Sequence, residues 1–245
     1  PFFQMKIVFI FSVILFISVS AIGIPYGNGN GNSGGQGNAI CPAGYKKMRR
    51  ADNRWWCMKY FSGNETFFEA EKICRCQGGA SLSGIENFNE LKYIKDQASD
   101  AFSEEGTLTG GVWVGAYRRK DCRVDQMETK PECTKENQYQ WTDRFTRGNE
   151  MWKEKWADGA PHNNKVGGHQ EFCVQIQISI APESESKSGF FDNRVCVNPD
   201  GATQFPTKGF VCGRPAKMEN TYYGGGGGGN GGVIIIGDAK PEKKP

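Results

Sequence analysis

The sequence has few of the residues on which catalysis and nucleic-acid binding usually depend. Histidine occurs only twice in 245 residues, and neither G-x-S-x-G nor H-E-x-x-H is present. We therefore expect no enzyme. The 30 Lys and Arg residues are interspersed with 27 Asp and Glu residues, so we predict no basic face and no nucleic-acid partner. A repeat of fixed period is also lacking, which argues against a repeat architecture.

Apolar residues are scarce as well, at 38% of the chain. The cause is glycine, whose 33 residues are concentrated near the two ends and leave a denser middle. That middle is long enough to form one core. We predict a Gly/Asn-rich linker over residues 24–40, one domain over residues 41–216 and a flexible Gly-rich tail over residues 217–245.

The one long apolar run lies at residues 5–23 and has the pattern of a secretory signal peptide. A single positive charge precedes an apolar core, and small residues follow at Ser18, Ser20 and Ala21. A membrane anchor is the alternative, because the run is only a little shorter than the ~20 residues of a span. No basic cluster follows, which favours cleavage. We expect a secreted, extracellular protein with no membrane span after signal removal.

No C-x-x-C pair occurs, so a zinc ribbon or finger is not expected. Nine cysteines behind a signal peptide instead indicate a disulfide framework with one cysteine left over. Asn64-Glu65-Thr66 is the only N-x-S/T sequon, and Asn64 is therefore a candidate glycosylation site.

Hydrophobic periodicity predicts two helices. In the first, Phe67, Ala70, Ile73 and Cys74 share one apolar stripe, with Asn64 or Thr66 as the cap and Gly78-Gly79 as the stop. The second runs from Glu86 to Ala98 with Leu91 and Ile94 facing the core, and residues 100–109 are predicted to form a loop. Strands are predicted at residues 55–61, 80–85, 139–143 and 210–213, and at 112–117, where the strand should be buried on both faces.

The polar stretch from Trp156 to Cys196 carries the candidate binding residues. A link between Cys173 and Cys196 would close its second half and bring together His162, Asn163, Glu171, Asp192 and Asn193. Carboxylate and amide oxygens of this kind suit calcium. The alternatives are a polar loop that binds nothing, or a zinc or copper site of His162, His169, Glu171 and Asp192. Tyr139, Trp152 and Trp156 would either stack on a sugar ring or belong to the core.

The middle of the chain resembles a C-type lectin-like domain. The resemblance rests on an ordered set of pieces across about 170 residues: Cys41-Pro-x-Gly-Tyr, F-F-E-A-E-K-I-C at 67–74, Gly79-Ala-Ser-Leu-Ser-Gly-Ile, Trp113-Val-Gly-Ala, Trp141-Thr-Asp, Trp156-x-x-Gly-x-Pro, Glu171-x-Cys173, Cys196 and Phe210-Val-Cys212. The Gly-rich leader and the extra pair Cys122 and Cys133 are similar to single-domain secreted members of nematodes.

The resemblance implies an α+β fold in which two helices flank small antiparallel sheets and a long disulfide-pinned loop region carries the ligand site. It also implies the disulfides Cys41–Cys57, Cys74–Cys212 and Cys173–Cys196; Cys122–Cys133 completes the even set. Cys76 then stays single and is a candidate link to a second chain. Helical spacing places Cys74 on the apolar stripe and turns Cys76 away from it, although Cys76 as the bonded residue stays open.

The implied site departs from the sugar-binding pattern of this family. The Glu-Pro-Asn or Gln-Pro-Asp triplet is replaced by Ala160-Pro161-His162, and Trp-Asn-Asp by Phe191-Asp192-Asn193. Glu171, Asp192 and Asn193 are the surviving oxygen ligands and the predicted metal ligands. The resemblance implies a recognition module that binds a glycan or a protein on a cell or microbial surface, with calcium if the site is intact. The alternative is a calcium-independent protein-binding or structural module.

Overall fold

The computed structural model describes residues 38–123, 130–162, 164–197 and 204–219. Within these ranges the chain forms three α-helices, α1 (Phe67–Cys76), α2 (Phe88–Glu105) and α3 (Glu150–Glu154). The strands of the same ranges are β1 (Asn38–Ile40), β2 (Lys46–Arg49), β3 (Trp55–Ser62), β4 (Ser81–Leu82), β5 (Thr109–Arg118), β6 (Tyr139–Trp141), β7 (Lys165–Val166), β8 (His169–Gln170), β9 (Cys173–Ser179), β10 (Phe190–Arg194), β11 (Thr207–Pro215) and β12 (Lys217–Glu219).

The largest sheet has the strand order β10-β9-β5-β11-β3-β2, with β4 also paired to β11 and β6 to β5. Strands β5 and β11 run parallel, and the other pairs are antiparallel. Two small antiparallel sheets join β1 to β12 and β7 to β8. The predicted α+β class is confirmed.

Strand β5 lies at the centre of the large sheet, and its apolar sequence explains the position. Val112, Trp113 and Val114 are buried on both of its faces, as predicted for this strand. Gly115 allows β4 to pack closely against β5, because a Cβ at residue 115 would overlap the carbonyl oxygen of Leu82. The amide of Gly115 instead donates to the carbonyl of Ser83 at 2.8 Å.

Helix α1 begins as the sequence predicts. Thr66 is the N-cap and forms a capping box with Glu69, so two main-chain N–H groups of the first turn are satisfied. Phe67, Ala70 and Cys74 form the buried stripe and pack against Leu82, Trp113 and Phe210.

Helix α2 is longer than predicted, and the loop expected at residues 100–109 was wrong. The helix continues to Glu105 because Phe102 extends the buried stripe of Leu91, Ile94 and Ala98 by one more turn. Gly106 ends it in the left-handed conformation at φ 66°. The missed signal was Phe102, which lies eight residues beyond Ile94, the last apolar position of the predicted stripe, and four beyond the predicted end at Ala98.

Four disulfides are present, Cys41–Cys57, Cys74–Cys212, Cys122–Cys133 and Cys173–Cys196. Cys74 is buried and bonded, whereas Cys76 is exposed with a free thiol. The helical-face argument therefore identified the bonded cysteine of α1.

The folded part extends one strand beyond each predicted limit of the domain. Residues 38–40 were assigned to the linker and residues 217–219 to the tail, but they pair as β1 and β12. Main-chain hydrogen bonds hold these two strands together. Because the strands contain few apolar residues, the hydrophobic pattern of the sequence did not predict them. The signal peptide predicted at 5–23 lies outside the described residues. None of the helices described here has the length and apolarity needed to cross a membrane.

Candidate ligand-binding site

The β9–β10 hairpin places the predicted polar residues at one end of the large sheet. Asp192 and Asn193 of β10 pair with Gln175 and Val174 of β9. Glu171 lies two residues before Cys173, the first residue of β9, and the disulfide partner of Cys173 is Cys196, two residues beyond the end of β10. His162 follows the cis peptide between Ala160 and Pro161 in the loop that leaves α3.

Asn193 joins His162 to Glu171 through three hydrogen bonds. Its Nδ2 donates to Oε2 of Glu171 at 3.0 Å and to the carbonyl oxygen of His162 at 2.9 Å. Its Oδ1 accepts from the main-chain N–H of His162 at 2.6 Å. Because that N–H needs an acceptor and that carbonyl a donor, the orientation of the amide is determined. Both ends of the Asn193 amide are thus engaged within the protein.

The imidazole of His162 approaches both carboxylates. Its Nδ1 is 3.6 Å from Oδ1 of Asp192 and 4.0 Å from Oε2 of Glu171. Oδ2 of Asp192 accepts from Nε2 of Gln177 at 3.1 Å and from Nη1 of Arg194 at 3.4 Å. Oδ1 of Asp192 is buried and has no hydrogen-bond partner among the described residues.

The pKa of the Glu171 carboxyl depends on its burial and on the charged groups around it. Burial raises the pKa of the Glu171 carboxyl, and the negative charge of Asp192 raises it further, against the opposing effect of His162, Arg194 and Arg118. The Glu171 carboxyl therefore ionises less readily than a carboxyl in water.

Arg118, which the sequence analysis missed, supports the loop from the end of β5. Its guanidinium donates to the carbonyl oxygen of His162 at 2.8 Å, to the hydroxyl of Tyr139 at 2.8 Å and to Oε1 of Gln138 at 2.7 Å. The hydroxyl of Tyr139 in turn donates to the carbonyl oxygen of Glu171 at 2.8 Å. Burial raises the pKa of that hydroxyl, so it remains a donor. The sequence signal that could have identified Arg118 is its position as a charged residue at the end of the otherwise apolar strand β5.

The other predicted residues have different fates. His169 lies on β8, where it lines a small groove with Phe68 and Tyr117. Asn163 falls outside the described residues. Across the described ranges, no group of three or more His, Cys, Asp or Glu side chains is arranged to hold a metal ion, so these residues do not support the zinc or copper hypothesis.

The three predicted metal ligands do not fit calcium as they are arranged. Calcium takes six to eight oxygens, whereas Asn193 turns Nδ2 rather than Oδ1 toward Glu171. One oxygen of Asp192 is already committed to Gln177 and Arg194. Ala160 offers no side-chain oxygen. Metal binding by Glu171, Asp192 and Asn193 stays a prediction that would require the Asn193 amide to release His162.

The aromatic residues near the site belong to the core. Trp152 is 1% exposed, Tyr139 4% and Trp156 5%. Trp152 stacks on Trp141 with ring centroids 4.0 Å apart and on Trp156 at 5.1 Å. The alternative of a sugar-stacking face formed by these rings is therefore wrong.

The chain is similar in sequence to known C-type lectin domain-containing proteins. The family model described as C-type lectin domain-containing protein 141/158 matches residues 47–215. The chain is similar to C-type lectin domain-containing protein 158 of Caenorhabditis elegans, at 27% identity over 188 residues that cover 71% of this chain and 88% of that protein. It is also similar to the C-type lectin BML-1 of Bungarus multicinctus, at 29% identity over 121 residues that cover 49% of this chain and 61% of that protein.

The solved structures that are similar to this chain include the following two. One is a calcium-independent type II antifreeze protein, at 20% identity and a TM-score of 0.43, covering 74% of this chain and 98% of that one. The other is the carbohydrate-recognition domain of the mouse scavenger receptor C-type lectin, at 18% identity and a TM-score of 0.43, covering 73% of this chain and 98% of that one.

Proposed function

Because the chain belongs to the C-type lectin domain-containing protein 141/158 family, we propose that it is a secreted recognition module that binds a carbohydrate on a cell or microbial surface without calcium. Family membership supports a lectin-like binding domain. The four disulfides support an oxidising, extracellular compartment, where such bonds form and persist.

The independence from calcium rests on the three hydrogen bonds of Asn193. They tie the His162 loop to Glu171 with protein groups alone. Arg118 adds a further donor to the carbonyl of His162. The loop is thus held in place before any ligand arrives, and binding does not have to await an ion that organises it.

The test is an array of surface glycans probed with the purified protein in millimolar calcium and in EDTA. We expect the same glycans to be retained with the same intensity in both buffers, because the loop is already organised. Glu171→Gln reports on the predicted metal ligand, and Glu183→Gln is the matched control at an exposed position.

Two outcomes would contradict the proposal. Loss of binding in EDTA, reproduced by Glu171→Gln and not by Glu183→Gln, would make this a calcium-dependent lectin in which the unpartnered oxygen of Asp192 meets the ion. Calcium at 100 times its dissociation constant would then stabilise the fold by about 2.7 kcal/mol, a readily measured rise in melting temperature. Retention of no glycan in either buffer would rule out carbohydrate as the ligand.

A further inference from the structure

A cleft of about 680 Å³ has Asp192 among its lining residues, whereas His162, Glu171 and Asn193 do not line it. Its polar lining comes from segments distant in sequence: Asp158, Gln177, Lys187, Asp192, Arg194 and Gln204. The volume lies within the roughly 300–1,000 Å³ of ordinary small-ligand sites.

Asp192 holds two of the polar groups of the cleft, those of Gln177 and Arg194, in position. Its Oδ2 accepts from Gln177 and from Arg194, and its side chain is 8% exposed. A guanidinium carries five N–H donors, so one bond to Asp192 leaves others for a ligand. At the rim, Nζ of Lys187 donates to Oε1 of Gln204 at 3.2 Å, and both side chains are exposed.

The charges of the lining cancel. The lining contains two carboxylates, Asp158 and Asp192, and two cations, Lys187 and Arg194. A ligand that carries a net charge is therefore attracted by the two side chains of opposite charge and repelled by the two of like charge. A neutral ligand with several hydroxyl groups meets no such opposition, because each hydroxyl both donates and accepts.

Apolar surface completes the lining. Phe205 is buried and Phe190 is half-buried, and both border the cleft together with Ala157. A sugar ring has an apolar face of C–H groups and a polar rim of hydroxyls, so aromatic contact combined with mixed donors and acceptors matches its two surfaces. Trp152 and Trp156 are buried and supply no such contact.

We propose that this cleft is a metal-free binding site for a neutral hexose unit of a glycan. This site rests on the proposed carbohydrate function and gives it a location. Gln177, Arg194 and Asp192 contact hydroxyls of the sugar, and the exposed Lys187 and Gln204 contact further hydroxyls. The half-buried Phe190 contacts the ring.

The experiment is a titration of the ¹⁵N-labelled protein with the methyl glycosides of glucose, galactose and mannose in EDTA, followed by NMR. At least one glycoside is expected to shift the signals of Gln177, Lys187, Arg194 and Gln204. Lys187→Met and Gln204→Ala, both at exposed positions, should each weaken that binding about tenfold, as loss of a hydrogen bond to a charged or polar group does. Lys72→Met, an exposed lysine of α1, should leave it unchanged.

The outcomes separate this site from the proposed function. Shifts confined to His162 and Glu171, or affinities untouched by both cleft variants, would overturn the cleft while carbohydrate binding stands. Retention of acidic glycans alone on the array, with no hexoside bound in the titration, would overturn the neutral ligand. Failure of the array and the titration together would remove both proposals.

Discussion

Arg118 is a buried cation, 2% exposed, whose guanidinium contacts three residues in two separate segments of the chain. It meets the carbonyl of His162 in the site loop, the hydroxyl of Tyr139 on β6 and the amide of Gln138 just before it. A planar fork of donors can reach several acceptors at once, whereas an ammonium is a single point. The residue thus positions the site loop without lining the proposed cleft.

Arg118→Lys should destabilise the fold by about 3 kcal/mol, because a lysine leaves at least one of these buried acceptors without its charged donor. Urea denaturation measures the loss. Arg75→Lys, on an arginine whose side chain is 72% exposed, is the control and should change stability by less than about 0.5 kcal/mol. Equal effects of the two substitutions would show that the Arg118 network does not hold the loop.

Helix α2 is attached to the N-terminal hairpin by a buried ion pair. Nε of Arg50 lies 2.7 Å from Oε1 of Glu90, and both side chains are 0% exposed. The remaining donors of Arg50 reach Oγ1 of Thr146 and the carbonyl of Gly84, each at 2.9 Å. The segment of Arg50 is thus joined to three others, those of Gly84, Glu90 and Thr146, and loss of the counter-charge affects all four.

Glu90→Gln should cost about 3–5 kcal/mol in unfolding free energy, because it leaves the buried charge of Arg50 without a partner. The matched control is Asp96→Asn, which breaks the exposed Lys92–Asp96 pair one turn and a half further along α2 and should cost less than about 1 kcal/mol. Denaturation in urea distinguishes the two. Losses of similar size would mean that Arg50 finds water or another acceptor when Glu90 is neutral.

The disulfides act on the molecule as a whole, in proportion to the chain they enclose. Cys74–Cys212 spans 138 residues and joins α1 to β11 in the core, whereas Cys122–Cys133 spans 11. A longer closed loop removes more conformational entropy from the unfolded chain.

Removal of both cysteines of the Cys74–Cys212 pair should therefore lower the free energy of unfolding by about 5 kcal/mol, and removal of the Cys122–Cys133 pair by about 3 kcal/mol. Guanidinium denaturation of the Ala double variants checks the order. Cys76→Ser is the control, since its thiol is exposed and free, and should leave stability unchanged. A larger loss from the short loop would contradict the entropic argument for this fold.

The sequence by itself determined the features that depend on local spacing. The stripe of α1, its Thr66 cap, the buried strand around Trp113 and the choice of Cys74 over Cys76 all follow from helical or strand periodicity, which neighbouring residues set. The ordered motifs led to the family and its fold for the same reason, because each motif is a short pattern that can be recognised along the chain.

Only the tertiary structure decided what depends on distant atoms meeting. The sequence offered Asn193 as an oxygen ligand, but the main chain of His162, 31 residues away, takes its Oδ1 and turns Nδ2 toward Glu171. Arg118 and the cleft beside Asp192 likewise arise where loops and strands from separate parts of the chain converge. Side-chain orientation in such places is set by the hydrogen-bond partners that the fold supplies, and spacing along the chain carries no record of them.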